Sequence, residues 1–285
     1  MHSCTASVMT TPADRQGYDP IALAAATEKV VVAGNRRKYA NLARPLRFYG
    51  GTTSATEVGC NLRCKFCFSD KPVRKPGNTG KFYTPQEVFN ALDKSARKHG
   101  HKLISASASE GTLGKRHLFE LLELVDASKY IFVLETNGMT LGDDENFAQQ
   151  LARFKKLHVR VSIKGTNAEE YHRLTGAIAS SYTLPYHALR HLIDAGVSCN
   201  ACLSLSFSTQ TGLDEAKARL AAIRPGLLRS LEEEYITLFP KVAKRLAESG
   251  LVPTAIRQRG RIVRLNDTAP HAPNQPRDDS VPTGD

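Results

Sequence analysis

The sequence predicts an α/β fold, an incomplete (β/α)6 TIM-like barrel with short flanking extensions. Three observations predict it. Strand-like and helix-like runs alternate over residues 49–257, the pattern of a parallel sheet with crossover helices. Six such units can be traced, with no clear seventh or eighth to close the barrel. The polar, cysteine- and glycine-bearing segments fall at strand C-termini, where parallel α/β architectures gather their chemistry.

The elements follow in order. Residues 1–20 read as disordered and residues 21–48 as a basic, helical extension whose helix covers Ile21–Val32. A polar strand, Thr52–Val58, leads into a loop with three cysteines. Thr84-Pro85-Gln86-Glu87 opens a helix: threonine caps, proline suits the first turn, and glutamate closes a capping box. That helix ends near Gly100, and Leu103–Ala108 is the second strand. Leu118, Leu121, Leu122 and Val125 then mark one buried helix face.

Tyr130–Glu135 is the third strand, and Asp143 is expected to cap a helix with Phe147, Leu151 and Phe154 on one face. His158–Ile163 is the fourth strand, followed by a capping box of Asn167 and Glu170 before Tyr171–Leu174. Pro185 starts a helix with Ala188, Leu189, Leu192 and Ile193 inward, ended by Gly196. Val197–Phe207 is the fifth strand and Tyr235–Phe239 the sixth, with Pro240 opening a last helix to Gly250 and Leu251–Ile256 extended after it. Residues 258–285 read as a basic, then proline-rich, disordered tail.

Composition narrows the function classes. Of 285 residues, 41% are hydrophobic and 24% charged, which suits a soluble globular protein able to bury its own core. No apolar run reaches the ~18 residues of a membrane span, and the first twenty residues lack the basic and apolar regions of a secretory signal. The expected place is the cytoplasm. A net charge of +11 favours an anionic partner, such as nucleic acid, an acidic peptide or a phosphorylated molecule. The charge is clustered in Arg36-Arg37-Lys38 with Arg44 and Arg47, and again in Arg257, Arg259, Arg261 and Arg264. Six cysteines are too few for a disulfide scaffold of this length.

Three of the six lie within eight residues, at Cys60, Cys64 and Cys67. Cysteine thiolates are the usual protein ligands of iron–sulfur clusters, and three of them leave one iron of a [4Fe–4S] cubane open for chemistry. A structural zinc site needs a fourth ligand at its own short spacing, and no His or Cys occurs between Cys67 and His99.

Cys60-Asn61-Leu62-Arg63-Cys64-Lys65-Phe66-Cys67 resembles the CxxxCxφC signature of the radical S-adenosylmethionine (radical SAM) superfamily, down to the aromatic residue before the third cysteine. The resemblance implies a [4Fe–4S] cluster on Cys60, Cys64 and Cys67, with the amino and carboxylate groups of S-adenosylmethionine on the open iron. It implies reductive cleavage of the sulfonium to methionine and a 5′-deoxyadenosyl radical that abstracts a substrate hydrogen. It also puts Phe66 near the adenine.

Ser107-Ala108-Ser109-Glu110-Gly111-Thr112-Leu113 resembles the family's GGEPTL segment, which contacts the methionine amino group. Here Ala108 and Ser109 replace two glycines and Gly111 replaces proline, while Glu110 stands at the family's glutamate. Thr136-Asn137-Gly138 resembles the TNG element after the third strand, and Ser162 and Lys164 share a strand face that suits the cofactor's ribose and carboxylate. Glu110, Ser162 and Lys164, with Thr136 and Asn137 behind them, are therefore expected to bind and orient the cofactor. Cys199 and Cys202 lie in a strand, where residues three apart point to opposite faces, and are expected to be core thiols.

The expected protein is a compact, single-cluster radical SAM enzyme similar to the activating enzymes. It would take electrons from a reductant such as flavodoxin or ferredoxin and act on an acidic protein or RNA. The alternative from another class is a non-catalytic iron–sulfur or zinc protein that binds or transfers electrons.

Overall fold

Alternation along the strands gives the central sheet one apolar and one polar face. The computed structural model describes residues 17–265. The chain opens with α1 (Pro20–Val31) and two strands, β1 (Val32–Ala33) and β2 (Arg36–Leu46). The first parallel strand, β3 (Thr52–Glu57), ends at the cysteine loop, after which come α2 (Lys71–Arg74), β4 (Lys81–Tyr83) and α3 (Pro85–His99). The middle units are β5 (Leu103–Ser107) with α4 (Lys115–Asp126), β6 (Ile131–Thr136) with α5 (Met139–Asp143) and α6 (Glu145–Leu151), and β7 (Leu157–Lys164) with α7 (Ala168–Thr175) and α8 (Leu184–Asp194). The last are β8 (Cys199–Ser204), α9 (Gln210–Ile223), β9 (Glu232–Glu234), α10 (Pro240–Glu248) and the hairpin β10 (Ala255–Gln258) with β11 (Arg261–Arg264).

Six parallel strands, β3, β5, β6, β7, β8 and β9, lie side by side in chain order. β2 runs antiparallel beside β3 and carries β1 and β4. Among the described residues β9 pairs with β8 alone and β3 with β2 and β5, so the barrel stays open. Ala55, Ala106, Leu134 and Val159 share one register row and are fully or almost fully buried against the helices. The opposite parity supplies Ser107, Glu135, Arg160, Ser162 and Cys202, which line the inner face.

Helix α3 forms where capping and apolar spacing coincide. Thr84 and Glu87 bond reciprocally as a capping box at α3, and Gly100 ends that helix in the left-handed region at φ 68°. Val88, Leu92 and Ala96 of α3 and Leu118, Leu121, Leu122 and Val125 of α4 are all buried in one core. Each large side chain contributes roughly 1.5–3 kcal/mol of apolar burial.

Several expectations are corrected. Asp143 caps nothing: it ends α5, a short helix begun at Gly138, and Asp144 precedes α6 without a side-chain cap bond. Asn167 accepts from Glu170 N, but the Glu170 carboxylate bonds Thr166 and Ser208 instead of closing the box. The sixth strand is Glu232–Glu234, ahead of Tyr235–Phe239, because its glutamates answer inward-facing cations and carry no apolar alternation. Leu251–Ile256 leads into a hairpin that uses residues 255–264, which falls partly within the expected tail. Residues 17–20 belong to the fold, since Tyr18 bridges to Ala177 and Pro20 begins α1. The expected disorder of residues 1–16 and 266–285 lies outside the described residues. The extension over residues 21–48 is half strand, and Arg37 from its basic run is buried, 1% exposed.

Candidate active site

The cysteine loop starts where β3 stops. Gly59 has φ 96°, and a Cβ there would lie 2.9 Å from the side chains of Thr27 and Val31, so only glycine lets α1 pass against the loop. Gly59 N donates to Pro72 O and Glu110 N donates to Gly59 O, both at 3.0 Å. Lys65 N donates to Leu174 O at 2.9 Å, at the end of α7.

Guanidinium groups satisfy the loop's carbonyls. Arg74 Nη2 donates to Cys64 O at 2.9 Å, and Arg245 of α10 donates to Lys65 O at 3.1 Å and also to Cys67 O. Asp70 holds Arg245 at 3.3 Å and Lys241 at 2.8 Å. Tyr18 is the last brace, its hydroxyl accepting from Arg63 N at 2.7 Å and donating to Thr175 O at 3.1 Å. The planar, multidentate arginine fork suits this work better than lysine.

Cys60, Cys64 and Cys67 are all free thiols in this braced loop. Burial pushes all three above the ordinary thiol range, Cys64 to about 12, while the Lys164 charge pulls the other way at Cys64 and Cys67. Metal ligation takes the thiolate, so loading this loop releases protons. Among the described residues no three His, Cys, Asp or Glu side chains gather around a single ion. Three thiolates that each bind a different iron of a cluster need not converge on one point. The donor set, three thiols with no imidazole or carboxylate between them, fits an iron–sulfur cluster with one iron left to another ligand.

Glu110 joins the cysteine loop to the ends of β5 and β6. It is 1% exposed, and its Oε1 accepts from Thr112 N (3.2 Å), Thr112 Oγ1 (2.7 Å) and Thr136 Oγ1 (2.5 Å). Oε2 accepts from Asn137 N at 2.8 Å. Asn137 Nδ2 then reaches Asn61 Oδ1 at 2.7 Å and Cys60 Sγ at 3.7 Å. Gly111 has no room for a side chain, since a Cβ would lie 2.5 Å from Leu134 Cδ1. Ala108 keeps the left-handed backbone, φ 71°, that a glycine adopts without strain.

Ser162 and Lys164 stand together on β7, with Lys164 Nζ donating to Ser162 Oγ at 2.6 Å. Burial works against the Lys164 charge, but Glu234, Cys64 and Cys202 more than offset it and raise its pKa. Below them Arg160 bonds Glu232 at 2.9 Å, Glu234 at 3.5 Å and Cys202 Sγ at 2.8 Å. Cys199 points to the opposite face, beside Arg224, so the two β8 thiols share no ligand site. Phe66 is buried and packs on Phe207, ring centroids 5.9 Å apart.

The structure thus links Glu110, Thr136, Asn137 and Cys60 by direct bonds, and links Lys164 to the cysteines through its charge. Sequence reasoning missed Tyr18, Arg74, Asp70 and Arg245, which hold the loop. None sits in a motif: Tyr18 and Arg245 bond loop backbone atoms distant in sequence, Arg74 bonds the Cys64 carbonyl ten residues back, and Asp70 pairs with the side chains of Lys241 and Arg245.

The sequence pattern of the radical SAM superfamily matches residues 56–206. Among solved structures, the chain is similar to spore photoproduct lyase complexed with a dinucleoside spore photoproduct, with TM-score 0.53 and 17% identity over 73% of this chain and 67% of that one. A mutant of that lyase with bound AdoMet and the same dinucleoside gives 0.50 and 17% over 67% and 58%. Streptococcus suis SuiB bound to S-adenosylmethionine gives 0.49 and 16% over 59% and 36%, so the chain spans about a third of SuiB's length. At these identities the likeness is one of fold. No curated protein matches the chain.

Proposed function

The chain belongs to the radical SAM superfamily, and from that premise we propose that it is an enzyme holding a [4Fe–4S] cluster on Cys60, Cys64 and Cys67. The observation that carries this reading is the arrangement of three free thiols in one braced loop at the C-terminal end of β3, beside a charged inner sheet face. When bound, such a cluster supplies the electron that cleaves S-adenosylmethionine to methionine and a 5′-deoxyadenosyl radical, which takes a hydrogen from the substrate.

The chain's own residues bind and orient. Glu110 fixes Thr136 and Asn137 against the loop, and the small residues Ser107, Ala108 and Ser109 let the backbone approach the cofactor's methionine end. Lys164, held charged beside Ser162, pairs with the cofactor carboxylate, and Ser162 with a ribose hydroxyl. Phe66 gives the adenine an apolar wall. The inner face with Glu135, Arg160 and Glu234 receives a polar part of the substrate.

A low-potential donor of the flavodoxin or ferredoxin class supplies the electron. An acidic protein or RNA is the substrate class that fits the basic charge. Arg257, Arg259, Arg261 and Arg264, all exposed on the β10–β11 hairpin, are the surface for it. Among the described residues no helix is long and apolar enough to cross a membrane. Free thiols and a reducible cluster fit the cytoplasm.

The test is anaerobic. The protein is reconstituted with iron and sulfide, mixed with S-adenosylmethionine and dithionite, and assayed for 5′-deoxyadenosine by mass spectrometry, beside Cys64→Ala. Product from the native chain alone is expected. A fully loaded cluster that yields none would overturn the proposal in favour of a binding or electron-transfer module.

A further inference from the structure

Asn61, next to Cys60, is 0% exposed, and its amide nitrogen has no hydrogen-bond acceptor. A chain of bonds fixes which way this amide faces. Met139 N is a backbone donor and bonds the Asn137 side chain at 3.1 Å, so Asn137 presents Oδ1 there. Asn137 Nδ2 therefore faces the cysteine loop, donating to Asn61 Oδ1 at 2.7 Å and to Cys60 Sγ at 3.7 Å. With its oxygen taken, Asn61 turns Nδ2 away from Asn137 and into a buried place without an acceptor. Leaving such a donor unpaired costs its full desolvation, so the arrangement is completed only when an acceptor arrives.

We infer that Asn61 and Asn137 form a hydrogen-bond donor pair for the sulfur at the Cys60 corner of the cluster, which tunes its reduction potential. The inference rests on the cluster reading above. Cys60 Sγ already faces two N–H groups, Leu62 N at 3.4 Å and Asn137 Nδ2 at 3.7 Å, and the buried Asn61 Nδ2 on the next residue has no acceptor until a cluster sulfur arrives at this corner. A metal-bound thiolate or sulfide is a stronger acceptor than a thiol, and stronger again once the cluster has gained an electron. The amides therefore favour the reduced state and raise the potential. Glu110 extends the device: by fixing Asn137 N at 2.8 Å it sets where Asn137 Nδ2 falls on Cys60.

The test uses the reconstituted full chain without S-adenosylmethionine. Iron and sulfide content of the native protein comes first; if no cluster loads, the cluster reading itself fails. With a loaded cluster, redox titration followed by EPR compares the native chain with Asn61→Leu, which keeps the volume and removes the donor. The expected result is a lower potential in the variant, a tenfold change in the reduction equilibrium, about 59 mV for one electron. An unchanged potential overturns the inference, and so does an unchanged potential with weaker S-adenosylmethionine binding, which would turn the amide toward the cofactor. A second measurement needs no variant. Native protein carrying 15N-asparagine should give a nitrogen hyperfine coupling to the reduced cluster in pulsed EPR, and its absence also refutes the inference.

Discussion

Replacing Glu110 by glutamine changes one oxygen for an amide nitrogen and little else in shape, and the surrounding donors decide the cost. Four donors face the carboxylate: Thr112 N, Thr112 Oγ1, Thr136 Oγ1 and Asn137 N. The hydroxyls can rotate to accept from the new NH2 group, and Thr112 Oγ1 keeps Thr140 Oγ1 at 2.5 Å. Backbone N–H groups cannot rotate. If the glutamine oxygen stays on Asn137 N, Thr112 N loses its acceptor, a penalty of about 1–3 kcal/mol for a buried unpaired donor. Glu110→Ala strands both backbone donors and doubles that to about 2–6 kcal/mol. Each kcal/mol lowers Tm by about 2–4 °C in chains of 150–250 residues. Thermal unfolding of the apo-protein should therefore place the variants in the order native, Gln, Ala, several degrees apart. The reasoning is refuted if both variants melt with the native chain while binding S-adenosylmethionine more weakly, because Glu110 would then act on the cofactor and not as a joint between strand ends.

Glu57, fully buried beside Arg37, has its pKa raised by burial from 4.5 to about 7, with Arg37 opposing the rise. Folding therefore favours its protonated form. Its contribution is fully present below pH 4.5 and is lost as pH rises through about 7, an effect of about 3 kcal/mol at 1.36 kcal/mol per unit. Urea unfolding of Glu57→Gln should lose this downward slope, and an unchanged pH profile would count against it. Arg245→Ala removes two carbonyl bonds and the Asp70 pair, worth about 1–3 kcal/mol. Hydrogen exchange should quicken at residues 60–68 and not in the sheet, and iron loading should fall; uniform exchange would sink this. Ala108→Gly relieves about 1–2 kcal/mol of left-handed strain and gives back about 0.4–1 kcal/mol through the unfolded chain, so the urea midpoint should rise.

What the sequence disclosed was local chemistry. Thr84 to Glu87 named a helix start because cap, proline and glutamate act within four residues, and the structure forms that capping box. Five of the six parallel strands were traceable for the same reason, as each is a short run between turns. The sixth, Glu232–Glu234, lacks the apolar alternation that marks a strand and was placed at Tyr235–Phe239 instead. Arg37 was grouped with a basic run expected to favour an anionic partner, yet it is buried. Besides Glu57, it bonds the carbonyls of Glu110, Gly111 and Leu113, more than seventy residues away, and no local rule foretells them. The braces on the cysteine loop were hidden likewise: Tyr18 sits in a polar stretch without periodicity, and Arg245 looks like any basic residue on an amphipathic helix. Ala108 is instructive in the opposite direction. Read as a departure from a glycine pattern, it nevertheless keeps the backbone that glycine would have, so residue identity changed while geometry did not.

The strand Glu232–Glu234 supplies the counter-charge to inward-facing cations and also forms an edge of the sheet. It is the last strand of an open sheet, and its outer backbone groups are a template on which another extended chain can add. Three residues are too few to offer a stable template, and three adjacent carboxylates repel an incoming strand of like charge. Glu232 and Glu234 turn inward to Arg160, and Glu233 turns outward to Lys217 at 3.3 Å. The same short acidic run thus neutralises the lumen and guards the exposed rim against edge-to-edge aggregation.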